Sequence, residues 1–431
     1  MSFPDHFVWG AAAASYQIEG AAYEDGKGLS VWDVFSHTDG KTWQGHHGDV
    51  ACDHYHRYPE DVALMKQISL HAYRLSISYP RVLPNGFGTV NEAGLAFYDK
   101  LVDELLGAGI EPYVTLFHWD YPYEAYCKGG WLNRDSTDWF AEYTDAVTKK
   151  LGDRVKHWMT HNEPSVFVNN GHFTGRHAPG EQWDNRKLIR IIHHVLLAHG
   201  KSAQVIRGNV NDAKVSLAHA HHPLYPLREE PTQIEMVRQA QWTILNADLA
   251  RWHAALWLDP ILKGDYPSEV YDLFPTFPIQ DGDLDIIQSD LDWLGLNIYQ
   301  GVPLDFEAGS QQSSTVTHDE NGRPVMLPLP PGSPRTMMDW FVSPPALYWG
   351  PKFLFERYNK PIVITENGLA SMDWIAVDGA VHDANRIDFL TRYLREFERA
   401  GEDGVDIAGY FQWSILDNFE WAEGYRKRFG L

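Results

Sequence analysis

Ile362-Val363-Ile364-Thr365-Glu366-Asn367-Gly368 passes without transition from β-branched residues to an acid, an amide and a glycine. The apolar part is too short for a helix and reads as a buried strand whose polar tip emerges at its end. His157-Trp158-Met159-Thr160-His161-Asn162, followed by Glu163-Pro164, repeats the pattern. Working outward, similar runs occur at Phe7–Ala13, Ala72–Ile77, Tyr113–Phe117, Val215–Ala220, Trp293–Tyr299 and Ile407–Trp413. Helical spacing fills the intervals. Leu95, Tyr98, Leu101, Val102 and Leu105 recur at three and four, as do Ile189, Ile192, Val195, Leu196 and His199, and Phe389, Tyr393, Leu394 and Phe397. Eight strands alternating with helices predict an α/β chain folded as one closed parallel (β/α)8 TIM barrel over residues 1–431.

Composition narrows the function. The 58 acidic residues against 36 basic ones give a net charge of −22, which repels phosphate backbones and argues against a nucleic-acid partner. No apolar run is long enough for a membrane span, and the start Met1-Ser2-Phe3-Pro4-Asp5-His6-Phe7 lacks the basic and apolar regions of a signal peptide. Cys52 and Cys127 are too few for a disulfide framework, so a reduced, cytoplasmic protein is expected. The 17 Trp and 21 Tyr are heavy usage and suit stacking on the C–H faces of sugar rings, though Trp-rich cores exist without carbohydrate. One connection, Val302–Met337, is rich in Pro, Gly, Ser and Gln; following the sixth strand, it would overhang the mouth of a barrel.

Polar and aromatic residues gather where the strands end: Gln17 after the first, Arg74 on the second, and His118-Trp119-Asp120 at the third. Asn162-Glu163 closes the fourth strand, Asn297-Ile298-Tyr299 the sixth, Glu366-Asn367 the seventh and Trp413-Ser414 the eighth. Catalytic groups of such barrels come from several strand ends at the C-terminal face. Two carboxylates brought there from different strands, one to protonate a leaving oxygen and one to attack the sugar, are the equipment of a retaining glycosidase. Taken alone, Asn-Glu-Pro reads as a solvated loop acid, and Thr-Glu-Asn-Gly as a turn in which Gly368 supplies a positive φ. Both acids on alternating strands, supported by Arg74 and Tyr299, outweigh those readings.

Phe7-Val8-Trp9-Gly10, Gln17-Ile18-Glu19-Gly20, Arg74-Leu75-Ser76-Ile77-Ser78, Thr160-His161-Asn162-Glu163-Pro164, Ile364-Thr365-Glu366-Asn367-Gly368 and the Trp413–Trp421 segment occur in this order. Together they resemble the family 1 glycoside hydrolases, the β-glucosidase family, from Phe7 to Leu431. The resemblance implies that Glu163 is the general acid/base and Glu366 the nucleophile, the latter held ionised by Arg74 and Tyr299. It implies that Gln17, His118, Trp119, Asn162, Asn297, Trp413, Glu420 and Trp421 surround the sugar, with Asn162 on its 2-hydroxyl. Trp340 aligns with an aglycone platform; alternatively it packs on Phe341 or Tyr348.

The expected partner is a small β-glucoside or disaccharide, with β-galactosides and β-fucosides as side substrates. Oligomeric state stays open. Relatives acting on 6-phosphorylated sugars carry a Ser with a nearby Lys and Tyr where this chain has Glu420, so unphosphorylated substrates are expected. No cofactor is called for. His46-His47-Gly48-Asp49-Val50-Ala51-Cys52-Asp53-His54-Tyr55-His56 has a composition that suits zinc but a spacing that fits no common ligand pattern, so no metal site is expected. Family members usually continue beyond the equivalent of Leu431 into a last helix, whose lack would expose an apolar strip. An enzyme that mainly transfers glycosyl groups, and a catalytically silent glycan-binding relative, are the alternatives; the presence of both Glu163 and Glu366 speaks against the second.

Overall fold

The computed structural model describes residues 3–306 and 333–431, with the backbone of two short strands, Val316–His318 and Pro324–Met326, between them. Most of the Val302–Met337 connection lies outside the described residues. Its start, Val302–Leu304, pairs in parallel with Leu224–Pro226 beside the barrel.

The strands β1 (Val8–Ala12), β2 (Ala72–Ser76), β3 (Glu111–Phe117), β4 (His157–Asn162), β5 (Lys214–Ala220), β6 (Leu294–Asn297), β7 (Ile362–Asn367) and β8 (Ile407–Trp413) form a closed barrel in chain order. β1 pairs in parallel with both β2 and β8, which closes the ring. Side chains alternate across the wall, as a period of two requires. Tyr113, Met159, Trp293 and Phe411 pack with Ala12, Ala72 and Ala218 in one cluster inside the barrel. Tyr73, Leu75, Val114, Leu116 and Trp158 belong instead to the larger cluster between strands and helices. Burial on both faces explains why the strands read as near-continuous apolar runs.

The three helices expected from periodicity are Glu92–Gly107, Asn185–Asn209 and Ala384–Glu402. Their buried faces carry the predicted residues: Leu95, Tyr98, Leu101, Val102 and Leu105 in the first, and Phe389, Tyr393 and Phe397 in the third. The second starts where the Asp184 carboxylate accepts from the Lys187 amide, satisfying one of its free N–H groups. Among the described residues, no helix is long and apolar enough to cross a membrane.

The strand ladders slip where β4 and β7 reach their ends. Between Met159 and Asn162 the β4–β5 register shifts, and between Ile364 and Glu366 the β6–β7 register shifts. Such irregularities re-aim a side chain at the rim of a barrel. They sit directly before Glu163 and at Glu366. β6 itself is shorter than Trp293–Tyr299, and Tyr299 stands just beyond its end.

Gly368 corrects a sequence reading. It does not have a positive φ; a Cβ there would lie 1.9 Å from the Trp413 carbonyl oxygen. Its role is close approach of the β7 exit to the β8 end. Gly368→Ala is therefore expected to destabilise the protein by about 1–3 kcal/mol, read by chemical denaturation, and to lower kcat/KM as Trp413 shifts. Unchanged stability would show that the two chain segments yield freely.

Candidate active site

One cavity of about 520 Å³ opens over the C-terminal ends of the strands. Its wall includes His118, Trp119, Glu163, Asn297, Tyr299, Trp340, Glu366, Trp413, Glu420 and Trp421. Arg74, Asn162 and Gln17 lie just behind that wall, each almost wholly buried. The residues singled out in the sequence are thus brought together.

Arg74 organises the floor. Its Nη1 donates to Glu366 Oε1 at 2.6 Å and to the Thr365 carbonyl at 3.0 Å, and its Nη2 donates to Asn162 Oδ1 at 2.6 Å. The Tyr299 hydroxyl donates to the other Glu366 oxygen at 2.8 Å. Glu366 therefore has a guanidinium on one oxygen and a phenol on the other. Glu163 has neither; its Oε1 accepts from the Asn297 amide at 2.9 Å. That amide is fixed because Asn297 Oδ1 accepts from the Thr365 hydroxyl at 2.6 Å, while its nitrogen also reaches Asn162 Oδ1 at 3.0 Å.

This inequality decides where a proton resides. Burial, then the charge of Glu366, pushes the Glu163 carboxyl up to about 8, against the pull of Asn297 and Arg74. Burial also raises Glu366 above the usual carboxylate range, but Arg74 and the hydrogen bonds from Tyr299 and Asn297 draw it back. The carboxyls titrate as a pair, and the first proton goes to Glu163. Its backbone is unusual too: Glu163 is left-handed, with φ 48° and ψ 59°, and caps the short helix Pro164–Phe167.

Glu420 behaves differently from a plain surface acid. Burial, then the charges of Glu366 and Glu423, pushes it up to about 8, opposed by hydrogen bonds from Gln17 and Trp413. Charge repulsion of a phosphorylated sugar is therefore weaker there than a free carboxylate would give. Gln17 Nε2 donates to Asn418 Oδ1, the Phe419 carbonyl and Glu420 Oε2 at 3.0–3.4 Å, while its buried Oε1 has no partner among the described residues.

His118 has a defined tautomer. Asn162 Oδ1 is committed to the donors Arg74 and Asn297, so the Asn162 nitrogen faces His118 Nε2 at 3.0 Å. His118 Nε2 is then the acceptor, and its buried Nδ1 carries a hydrogen with no partner among the described residues. Burial, with Arg74 adding, lowers its basicity well below that of free imidazole, so the ring is neutral. It lies between Trp413 and Trp421, near-parallel to both, with ring centroids 5.7 and 5.9 Å away. Trp119 closes this wall, its indole N–H donating to the Asn162 carbonyl at 3.0 Å.

Trp340 is half-buried and its ring meets Tyr299 and Phe429 at 5.1 and 6.2 Å. Sequence reasoning missed another part of the wall: Asn170, His177, His221, His222 and Trp252. The signal was present at the fifth strand, where β5 ends at Ala220 and two histidines follow. His221 is buried, and its Nε2 has no partner among the described residues.

The histidine-rich stretch separates. His54 meets Asp61 at 2.6 Å, and His56 meets Asp53 at 2.6 Å and Glu24 at 3.1 Å. His47 and Asp49 instead converge with His37, a residue outside the stretch.

The same arrangement of chain is found in known proteins. β-Glucosidase A of Thermotoga maritima is 42% identical over 433 residues, covering 100% of this chain and 92% of the relative. Aryl-phospho-β-D-glucosidase BglC of Bacillus subtilis is 41% identical over 448 residues, covering 100% and 91%. The solved structure of β-glucosidase from Thermotoga maritima in complex with glucoimidazole superposes with a TM-score of 0.89 at 42% identity, covering 99% of this chain and 93% of that one. The profile of Glycosyl hydrolase family 1 matches residues 1–431. A barrel of this topology, with its acids at the strand ends and full-length relatives of this similarity, belongs to glycosyl hydrolase family 1.

Proposed function

We propose that the chain is a retaining, exo-acting β-glucosidase working on cellobiose-like and aryl β-glucosides, with β-galactosides and β-fucosides as side substrates. The observation that carries this reading is the unequal pair: buried Glu366 held by Arg74 and Tyr299, and buried Glu163 held by an amide alone. Relatives named as β-glucosidases support the choice of sugar.

In the first step Glu163 gives its proton to the glycosidic oxygen as a Glu366 oxygen attacks the anomeric carbon. The C–O bond to the aglycone breaks and a glycosyl ester forms. The Glu366 charge is thereby consumed, so Glu163 becomes more acidic. It then takes a proton from water, the water oxygen attacks the anomeric carbon, and Glu366 leaves as carboxylate. Two inversions return the β-anomer. Retention in this family of mechanisms needs carboxyl groups only about 5–5.5 Å apart, leaving no room for an intervening water. Gln17 Oε1 and the His118 Nδ1–H, each buried without a partner, would accept from and donate to sugar hydroxyls. Asn162 is engaged by Arg74, His118 and Asn297, so it would meet the 2-hydroxyl through its remaining amide hydrogen. The half-buried Trp340 face would carry the aglycone.

A rate panel on aryl β-glucoside, β-galactoside, β-fucoside and 6-phospho-β-glucoside, with the first-formed anomer read by NMR, tests the reading. The expected result is β-anomer, with the glucoside preferred and the 6-phosphoglucoside poorest. Release of the α-anomer first, or a preference for the phosphorylated sugar, would overturn it. The general acid must hold its proton, and that proton is lost as pH rises through about 8. Hence kcat/KM is expected to fall above that pH, and to fall on the acid side as Glu366 takes a proton.

A further inference from the structure

We propose that His37, His47 and Asp49 form a binding site for a borderline transition-metal cation of the Zn²⁺ class, through the two imidazole nitrogens and the carboxylate. Their ligand atoms lie within 4.8 Å of one another. His37 Nε2 is 3.3 Å from Asp49 Oδ2, and His47 Nδ1 is 3.2 Å from Asp49 Oδ1. A tetrahedral ion with bonds of about 2.0–2.1 Å holds its ligands about 3.3 Å apart.

The hydrogen bonding around these atoms favours a cation. His37 Nδ1 lies 2.7 Å from the Asp33 carbonyl oxygen, which can only accept, so that nitrogen carries the ring hydrogen. In the neutral ring, Nε2 then turns a lone pair toward a carboxylate. Imidazole ligands of metals characteristically spend their second nitrogen on such a carbonyl, which fixes the ring. Asp49 Oδ1 is buried and, among the described residues, has no hydrogen-bond partner. The His37 and His47 rings stack with centroids 4.6 Å apart at 26°, an arrangement that two imidazolium cations would resist. Asp33, the nearby alternative acid, is already bound to Lys27 and Ser30.

The ligands are also tethered. Ala22 N–H donates to the Asp49 carbonyl at 3.4 Å, and the Tyr425 hydroxyl to the His47 carbonyl at 2.9 Å. Both histidine rings are about two-fifths exposed, which gives an ion a route from solvent. Two imidazoles and a carboxylate suit Zn²⁺, Ni²⁺ or Cu²⁺, whereas Mg²⁺ and Ca²⁺ take oxygen ligands. The His46–His47 turn also braces the Trp421–Arg426 segment of the cavity wall. His46 Nδ1 accepts from the Tyr425 amide at 3.1 Å, and the Arg426 guanidinium lies 4.0 Å from the Trp43 ring centre. The ion would therefore clamp the end of helix Val31–Ser36 to a loop supporting the sugar cavity, without touching the reacting atoms.

The test uses the full chain without a histidine tag, stripped by chelator and dialysed against graded Zn²⁺, with bound metal measured by mass spectrometry. One saturable site per chain is expected, together with a higher apparent Tm in Zn²⁺. His37→Gln and His47→Gln should each weaken binding about 10-fold or more. His382→Ala, which removes an exposed histidine paired with Asp378, should leave it unchanged. Co²⁺ in place of Zn²⁺ should give the strong visible absorption of a tetrahedral ion in the parent chain and lose it in the variants. No saturable Zn²⁺ binding, equal binding by the folded His37→Gln/His47→Gln double variant, or displacement of Zn²⁺ by equimolar Mg²⁺ would each overturn the proposal.

Discussion

Glu366→Ala is expected to reduce hydrolysis of every glycoside by roughly 10⁴-fold or more, whatever the leaving group. The residue is proposed to make the only covalent bond to the sugar, so an activated aglycone cannot compensate. The alanine also opens space beside the anomeric carbon, next to Arg74 and the Tyr299 hydroxyl. A small anion such as azide should occupy that space, attack in a single displacement and yield the α-glycosyl azide. Measuring rates with and without azide, and the anomeric configuration of the product, checks both parts. A variant that retains substantial hydrolysis, or a β-configured azide adduct from it, would remove Glu366 from the nucleophile's role.

Glu163→Ala should show the opposite dependence on leaving group. A dinitrophenyl glucoside needs no proton to depart, so its first step should survive, while cellobiose would lose its proposed general acid and slow by about 10²–10⁴-fold. Deglycosylation also loses its base, so a rapid burst of phenol should precede a slow steady state. Azide should then accelerate turnover and yield the β-glycosyl azide, the reverse of its outcome at position 366. The part of the upper pH limb set by Glu163 should vanish as well, leaving only what Glu420, also pushed up to about 8, contributes through binding. Equal losses on activated and unactivated substrates, with the alkaline limb intact, would show that the titrating acid lies elsewhere.

The barrel was legible because β-strands buried on both faces leave an unmistakable record: all eight expected runs became barrel strands, within a few residues at each end. The helices were legible for the same reason, since Leu95 to Leu105 repeats on one face of Glu92–Gly107. What escaped was anything depending on which atoms meet across the fold. Gly368 looked like a turn residue, yet the constraint on it comes from the Trp413 carbonyl, supplied by a different strand. Glu420 looked like a free carboxylate, but the upward push on it comes from burial and from Glu366, neither of which is local in sequence. His221 and His222 carried a local signal at the end of β5. His37 carried none, because the loop that brings it to His47 and Asp49 erases any recognisable ligand spacing.

Trp119, Glu163 and Trp421 all adopt positive φ, at 78°, 48° and 50°, and all face the sugar cavity. Side chains of this bulk disfavour that conformation by roughly 1–2 kcal/mol each. Glycine at 163 would relax the backbone and remove a buried acid. At 119 or 421 it would also empty the space of an almost wholly buried indole, which costs about 3–5 kcal/mol, so selection for heat survival alone would drift toward glycine only at 163. The hardiest descendants of this enzyme would then be those without its proposed acid/base, and a thermostabilisation screen that never offers substrate would be a search for its inactive forms.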